Sequence, residues 1–211
     1  KDQAEDTMSL GLGHKHWTRS DVVKSPLFWL AIPALMAPSA FGTTFFFMQA
    51  HFAEIKGITH LALVSMFPIY TVTVIISLMV WGILLDRFGA LQLVWVHQIP
   101  SVIAFVLFSI SSGPVGIALG MIFMGITSGG YATLINAFWA EAFGTKHLGG
   151  IKSIGTALMV LGSSLGPGTV VFFMDLGNPL PMQYLWISAV YLMSSSMFFA
   201  GLVYARRSYA S

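Results

Sequence analysis

The chain has no cysteine and few charged side chains. None of its 211 residues is a cysteine, which excludes disulfide bonds, thiolate metal sites and a cysteine nucleophile. Only 9% of the residues are Asp, Glu, Lys or Arg, compared with about 25% in ordinary soluble domains. A water-soluble fold needs a more highly charged exterior than this, so the composition excludes an ordinary soluble domain. We also expect no nucleic acid as a partner.

Apolar residues dominate what is present. They make up 56% of the sequence, and the mean hydropathy is +0.80. A bilayer favours helices because every backbone polar group can then be satisfied within its own segment. No apolar stretch shows sustained two-residue alternation, which argues against strands. The sequence therefore predicts an all-α membrane protein.

Six long apolar stretches predict six transmembrane helices, since a span needs about 20 mostly apolar residues. They cover approximately residues 27–50, 61–85, 90–110, 115–140, 151–174 and 182–205. The domain organisation that follows has three parts, which are a polar, mobile cytoplasmic connector at 1–26, a six-helix transmembrane half-bundle at 27–205 and a cytoplasmic tail at 206–211.

The distribution of basic residues predicts the orientation. With both ends in the cytoplasm, Lys56 is the one basic residue on the outer side. The other nine lie on the inner side: Lys1, Lys15, Arg19, Lys24, Arg87, Lys146, Lys152, Arg206 and Arg207. This asymmetry follows the positive-inside rule. We expect an integral protein of the cell (inner or plasma) membrane.

The turn between the second and third predicted helices carries a family signature. Residues 82–89 read Gly-Ile-Leu-Leu-Asp-Arg-Phe-Gly, which resembles the G-x-x-x-D-R-x-G loop of the major facilitator superfamily in the degenerate form found in the second half of those transporters. Residues 141–149 and the Gly- and Pro-rich run 162–168 are similar to later parts of the same half. The run 46–52 and the loop 143–149 resemble the monocarboxylate and oxalate–formate branch.

This resemblance implies one half of a major facilitator-type bundle and secondary active transport by alternating access. The transported solute would be a small organic molecule, such as a monocarboxylate or another organic anion, with or without a coupling ion. Substrate binds near the midplane between two six-helix halves in such transporters. The chain opens at Lys1 without an initiator methionine or a signal-peptide pattern. We therefore expect a fragment whose partner is the missing N-terminal half, the alternative being a half that dimerises.

Uncharged polar residues within the predicted helices are the candidates for the substrate pathway, together with Lys152 near an inner helix end. By the resemblance, the first and fourth helices of a half line the pathway most directly. The amides of Gln49 and Asn136 are the strongest candidates because an unpaired amide in hydrocarbon is costly. The full set is Thr44, Gln49, Tyr70, Thr73, Tyr131, Asn136, Lys152 and Thr156.

The charged turns at the inner helix ends predict a cytoplasmic latch. The candidate gating residues are Gly82, Asp86, Arg87, Gly89 and Glu141. In the family, such loop charges pair when the inner side is closed. We expect neutralising Asp86 to shift the transporter toward its inward-open state, because only an interaction that differs between two states changes their populations.

Two other functional classes compete with a transporter. Residues 162–166 satisfy the G-x-S-x-G pattern and suggest an intramembrane serine hydrolase, but a nucleophile elbow requires a strand-to-helix turn. We also expect no histidine in the middle of another span that could serve as a base. A six-helix channel or scaffold is the third reading, although the short connectors leave little room for a filter segment. Catalytic residues, cofactors and metal ligands are not predicted.

The orientation can be tested by labelling single cysteines in this cysteine-free chain. A cysteine at position 177 is expected to react with an impermeant reagent added outside intact cells, and one at position 145 is not. The reverse labelling pattern would contradict the predicted topology.

Overall fold

The computed structural model of the protein describes residues 9–209. Residues 1–8 of the predicted connector, including Lys1, and residues 210–211 of the predicted tail lie outside the described part. Within it, every regular element is a helix. The α-helices are α1 Arg19–Lys24, α2 Pro26–Phe47, α3 Gln49–Ile55, α4 His60–Val64, α5 Phe67–Phe88, α6 Ala90–Leu93, α7 Ile99–Ile110, α8 Pro114–Phe143, α9 Leu148–Asp175 and α10 Leu180–Tyr209, with short 3-10 turns at Leu12–His14 and Val96–Gln98.

Five helical segments are long and apolar enough to cross a membrane, which confirms the all-α membrane fold. They are α2, α8, α9, α10 and the combined stretch of α4 and α5. The third predicted span differs, because residues 90–110 are divided among α6, the turn Val96–Gln98 and α7. The apolar helix in this stretch, Val96–Ile110, is shorter than the other five segments.

Pro100 explains the break in the third span. Proline has no N–H to donate to the carbonyl four residues earlier. The chain tightens before it, and the N–H of Ile99 bonds the carbonyl of Val96. The backbone stays right-handed at Val94, Trp95 and Gln98. Residues 90–110 therefore follow a continuous helical path of about 30 Å, enough to cross a hydrocarbon layer.

The helix ends carry the expected sequence signals. Pro26 and Pro114 occupy the first positions of α2 and α8, where the missing N–H costs nothing. Gly89 and Gly144 follow the last residues of α5 and α8 with φ of 76° and 79°. This left-handed conformation suits glycine and closes the helix.

Helix α8 packs against α5 and α7, α7 packs against α10, α10 against α2, and α2 against α9. Glycines allow the closest crossings. A Cβ on Gly129 of α8 would lie 2.5 Å from the carbonyl oxygen of Val74 in α5, and one on Gly166 of α9 would lie 2.5 Å from that of Ala40 in α2. Small residues allow membrane helices to gain dispersion contacts at such short range.

The described part of the predicted connector packs against one end of the bundle, which we call the basic end. This end comprises residues 9–25, the turn 86–89 and the loop 144–147. Trp17 is only 3% exposed, its backbone N–H donates to the carbonyl of Phe143, and its indole N–H donates to the carbonyl of Leu12. The N–H of Thr145 donates to the carbonyl of Ser9. Backbone pairing and a buried indole thus join this segment to the end of α8.

A capping box begins α1. The Thr18 hydroxyl accepts from the N–H of Asp21, and the Asp21 carboxylate accepts from the hydroxyl and the N–H of Thr18. These hydrogen bonds stabilise the charged carboxylate and hold the pKa of Asp21 below its usual value. The reciprocal cap fixes the direction in which the chain enters the bundle.

At the opposite end, the Lys56 ammonium donates to the carbonyl of Ser109 over 2.7 Å, and partial burial lowers the pKa of Lys56. Gly177 also lies at this end and has φ of 85°. A cysteine there would be strained, so Leu176, which is 63% exposed, is the better labelling position.

The crossing of α5 and α8 gives a stability prediction. Gly129→Val would place atoms against the backbone of Val74, which cannot rotate away, and we expect a loss of about 1–3 kcal/mol, typical of overpacking. The melting temperature of the detergent-purified protein, followed by size-exclusion chromatography, measures the effect. Gly42→Ala is the control, because nothing lies within 4 Å of a Cβ at that helical position. A Gly129→Val protein as stable as the wild type would contradict the close crossing.

Candidate functional site

A cavity of about 190 Å³ lies between α8 and α9. Its lining residues are Tyr131, Ala132, Ile135, Asn136, Trp139, Lys152, Thr156 and Met159. Trp139 and Lys152 each lie four residues from the basic end of their helix. Tyr131 and Met159 lie about 16–18 Å from that end at 1.5 Å per residue. The cavity thus extends from near the basic end to about the middle of the bundle.

Helical periodicity brings these residues together. Successive lining residues of α8 are one and three residues apart from Tyr131 to Trp139, and those of α9 are four and three apart from Lys152 to Met159. Each set therefore shares one helix face. Gly155 of α9 faces the indole of Trp139, and a Cβ on Gly155 would clash with that ring. The glycine therefore allows the Trp139 ring to lie against α9 and form part of the cavity wall.

The polar groups of the cavity are all neutral except one. Lys152 carries the only formal charge among the lining residues. In the described part of the chain, no carboxylate lies within ion-pair distance of Lys152, and the one ion pair found joins His51 and Glu54. The side chains of Asn136 and Thr156 are exposed and can donate hydrogen bonds.

Tyr131 is already engaged. Its hydroxyl donates to the carbonyl of Leu35 in α2 over 2.7 Å, and its ring lies nearly parallel to that of His97, with 6.4 Å between centroids. The donors available to a ligand are therefore Lys152, Asn136 and Thr156, beside an apolar wall. The volume is below the roughly 300 Å³ of common ligand pockets, so the cavity suits a small solute.

The structure thus places four of the eight predicted pathway residues against one cavity, namely Tyr131, Asn136, Lys152 and Thr156. The other four lie elsewhere, on α2, α3 and α5. Whether any of the eight binds substrate stays a prediction.

Thr44 and Thr73, two of the four predicted pathway residues outside the cavity, donate hydrogen bonds to their own helices. The Thr44 hydroxyl, which is fully buried, donates to the carbonyl of Ala40, and the Thr73 hydroxyl donates to that of Ile69. Such bonds to the preceding turn are a common use of threonine in helices.

The remaining two have different surroundings. The Tyr70 ring packs edge-on against Phe46, with 5.4 Å between centroids. Gln49 begins α3 just after the break at Met48, and its Oε1 is buried without a hydrogen-bond partner in the described part of the chain.

Sequence reasoning missed a polar pair inside the third span. The expectation that no histidine lies in the middle of another span overlooked His97, which is 3% exposed. Its Nε2 lies 2.6 Å from the carbonyl oxygen of Thr127. The Gln98 amide donates to the carbonyl of Ala34, and its Oε1 accepts from the hydroxyl of Ser194. The sequence signal for this pair was two adjacent polar residues, His97 and Gln98, shortly before Pro100 in an apolar stretch.

The gating candidates lie at the basic end. Glu141 accepts hydrogen bonds from the N–H groups of Ala90 and Leu91 over 2.6 and 3.3 Å. A carboxylate is favoured at this position because the first N–H groups of a helix have no partner within it. Gly89 lies next to the Glu141 carboxylate, and a Cβ at Gly89 would be 2.9 Å from Glu141 Oε1.

The other gating candidates have few contacts. Asp86 and Arg87 are exposed, and the Arg87 guanidinium lies 5.3 Å from the centre of the Phe88 ring. No atom lies near the position of a Cβ on Gly82. In the described residues, Asp86 and Glu141 are both exposed, but only Glu141 accepts backbone hydrogen bonds within this half.

This difference predicts different effects on stability. Glu141→Ala removes the acceptor of two backbone N–H groups and is expected to cost about 1 kcal/mol, typical of a lost helix cap. Asp86→Asn is the control and should leave the melting temperature of the purified protein unchanged. Equal melting temperatures for wild type and Glu141→Ala would show that this cap does not stabilise the turn.

Comparison with known proteins identifies the family. The model of the Major Facilitator Superfamily matches residues 2–167 and residues 65–210, and no curated protein matches the chain significantly. The match confirms the family resemblance of the turn at 82–89, while it leaves the monocarboxylate and oxalate–formate branch a prediction. The chain is an integral membrane protein that belongs to the major facilitator superfamily, a family of transporters that move solutes across membranes.

Proposed function

We propose that the chain forms one wall of the pathway for a small organic anion, with the cavity between α8 and α9 as the surface that contacts the solute. The observation that carries this proposal is the Lys152 charge, which has no carboxylate partner in the described residues. An ammonium group that lines a cavity of a membrane protein attracts an anion, since its charge is poorly compensated there. A monocarboxylate fits both this charge and the small volume.

The hydrogen-bond donors and the apolar wall of the cavity also support a monocarboxylate as the solute. A carboxylate has two oxygens that accept hydrogen bonds, and Lys152, Asn136 and Thr156 are all donors. The apolar wall formed by Ile135, Trp139 and Met159 suits a short hydrocarbon part.

The exposure of Asn136 and Thr156 suggests a second wall. A solute held by this half alone would remain open on one side. A second six-helix half facing α8 and α9 would complete the cavity, in keeping with transporters that bind substrate between two repeats. We include this partner, with or without a coupling ion, in the proposal.

Both ends of the chain are proposed to be cytoplasmic. Arg87, Lys146, Lys152 and Arg206 gather at or near the basic end, whereas Lys56 is at the other. This asymmetry is the one that the positive-inside rule describes.

The turn at 86–89 is proposed to contribute to gating through Asp86. Because Glu141 already caps α6, Asp86 is the acid free to contact another part of the transporter. A contact made only when the inner side is closed would bias the equilibrium between the two states. At a surface-like boundary it would contribute roughly 1 kcal/mol or less.

Uptake into proteoliposomes tests the proposed solute. The full-length protein carrying this chain is assayed with radiolabelled monocarboxylates and dicarboxylates and with neutral analogues of the same size. Lys152→Gln is expected to raise KM for the anions roughly tenfold or more, in line with the loss of a hydrogen bond to a charged group. Asn136→Ala and Thr156→Val are expected to weaken uptake by smaller factors without lowering the amount of protein in the membrane.

Ser153→Ala is the matched control. Ser153 is the neighbour of Lys152 on α9, does not line the cavity, and donates its hydroxyl to the carbonyl of Gly150. Its variant should keep wild-type kinetics. Unchanged KM in all three cavity variants would exclude this wall as the binding surface, and equal uptake of the neutral analogues would exclude recognition of an anion.

A further inference from the structure

A second cavity lies on another part of the bundle, between α10 and the segment that runs from the end of α5 through α6. Its volume is about 450 Å³. Phe88, Trp95, Phe199 and Leu202 form an apolar wall, and Gln92 and Arg206 add polar groups. It shares no residue with the cavity between α8 and α9. We call it the α6–α10 cleft.

The break in the third span helps to shape this cleft. Between Leu93, the last residue of α6, and Ile99, the first of α7, the chain forms the 3-10 turn Val96–Gln98. The turn is tied to α10, because the hydroxyl of Ser195 donates to the carbonyl of Trp95 over 2.5 Å and the rings of Trp95 and Phe199 lie 5.1 Å apart. The wall is therefore held by contacts between the two sides of the cleft.

The charge of the α6–α10 cleft is positive. Arg206 lies in the last turn of α10 and is exposed. Arg87 lies over the ring of Phe88, which belongs to the wall. Among the described residues, no Asp or Glu lines the cleft. Asp86 is exposed and is not a lining residue. The Glu141 carboxylate, which also does not line the cleft, accepts a hydrogen bond from the N–H of the lining residue Leu91.

Arg206 and Phe199 lie at different depths along α10, one at the level of the lipid headgroups and the other at the level of the acyl chains. Arg206 is 26 residues beyond Leu180, the first residue of α10, which is about 39 Å at 1.5 Å per residue. A hydrocarbon core is about 30 Å thick, so Arg206 reaches the headgroup layer. Phe199, seven residues earlier, lies about 10 Å deeper, where acyl chains are.

We propose that the α6–α10 cleft binds an anionic phospholipid, with the phosphate at Arg206 and Gln92 and an acyl chain along Trp95 and Phe199. Guanidinium groups bind phosphate through paired hydrogen bonds. A soluble phosphate compound would leave the apolar wall uncovered. A zwitterionic lipid carries its own ammonium beside the phosphate, which offsets part of the attraction to the arginine. The ligand that satisfies both layers is therefore a lipid with an anionic headgroup. This inference does not depend on the solute proposed above.

Native mass spectrometry of the delipidated full-length protein tests the site. The protein is titrated with dioleoyl phosphatidylglycerol and, separately, with dioleoyl phosphatidylcholine. We expect tighter binding of the anionic lipid, and a loss of about tenfold in Arg206→Gln, as for a charge-assisted hydrogen bond. Arg206→Lys, which keeps the charge, should bind more tightly than Arg206→Gln.

Arg207→Gln is the matched control, because Arg207 is the next residue of α10, is exposed and does not line the cleft. It should bind the anionic lipid as the wild type does. An equal loss in both Gln variants would indicate diffuse attraction to the basic end and would overturn the site. Competition by glycerol phosphate at the concentration that the lipid requires would indicate a site for soluble phosphate and would also overturn it.

A second measurement does not depend on charge variants. Phosphatidylglycerol with brominated acyl chains should quench the fluorescence of Trp95, seen as a smaller loss of total fluorescence in Trp95→Phe than in the wild type. An equal total loss of fluorescence in the two proteins would place no acyl chain at Trp95 and would contradict the proposal. Elution of each variant as a single species in size-exclusion chromatography establishes that it is folded.

Discussion

The need to satisfy backbone hydrogen bonds without water is the constraint on which the rest of this molecule depends. In hydrocarbon an unpaired N–H or C=O costs several kcal/mol, so the apolar segments are helical. Around the irregular part of the third span, side chains bond the carbonyls of neighbouring segments. His97 lies against the carbonyl of Thr127, and the hydroxyl of Ser195 donates to that of Trp95. Many polar groups inside this bundle are thus used by the backbone before any is available to a solute.

Helix α8 connects these features because its faces have different neighbours. Gly129 allows the close crossing with α5, Tyr131 reaches the carbonyl of Leu35 in α2, and Glu141 caps α6. The face that carries Asn136 lines the cavity shared with α9. A change in the position of α8 would therefore alter both the proposed pathway and the turn at 86–89, which is the kind of coupling that alternating access requires.

The two cavities differ in depth, and depth determines which ligand each can hold. The cavity between α8 and α9 reaches toward the middle of the bundle and combines one ammonium with neutral donors, which suits a small anion. The α6–α10 cleft ends near the headgroup layer and has an apolar wall beneath Arg206, which suits a lipid.

The sequence by itself determined the membrane fold, the positions of five membrane-spanning segments and the family, because these depend on composition, on segment length and on a local motif. Helical periodicity also grouped Lys152 with Thr156 on one face. The tertiary structure alone decided that α8 meets this face, that Thr44 bonds its own helix and that Gln98 reaches Ala34, 64 residues away. Periodicity shows which way a side chain points along its own helix, but the neighbour that it meets is set by packing between distant segments, and that packing determines whether a polar group is free for a ligand.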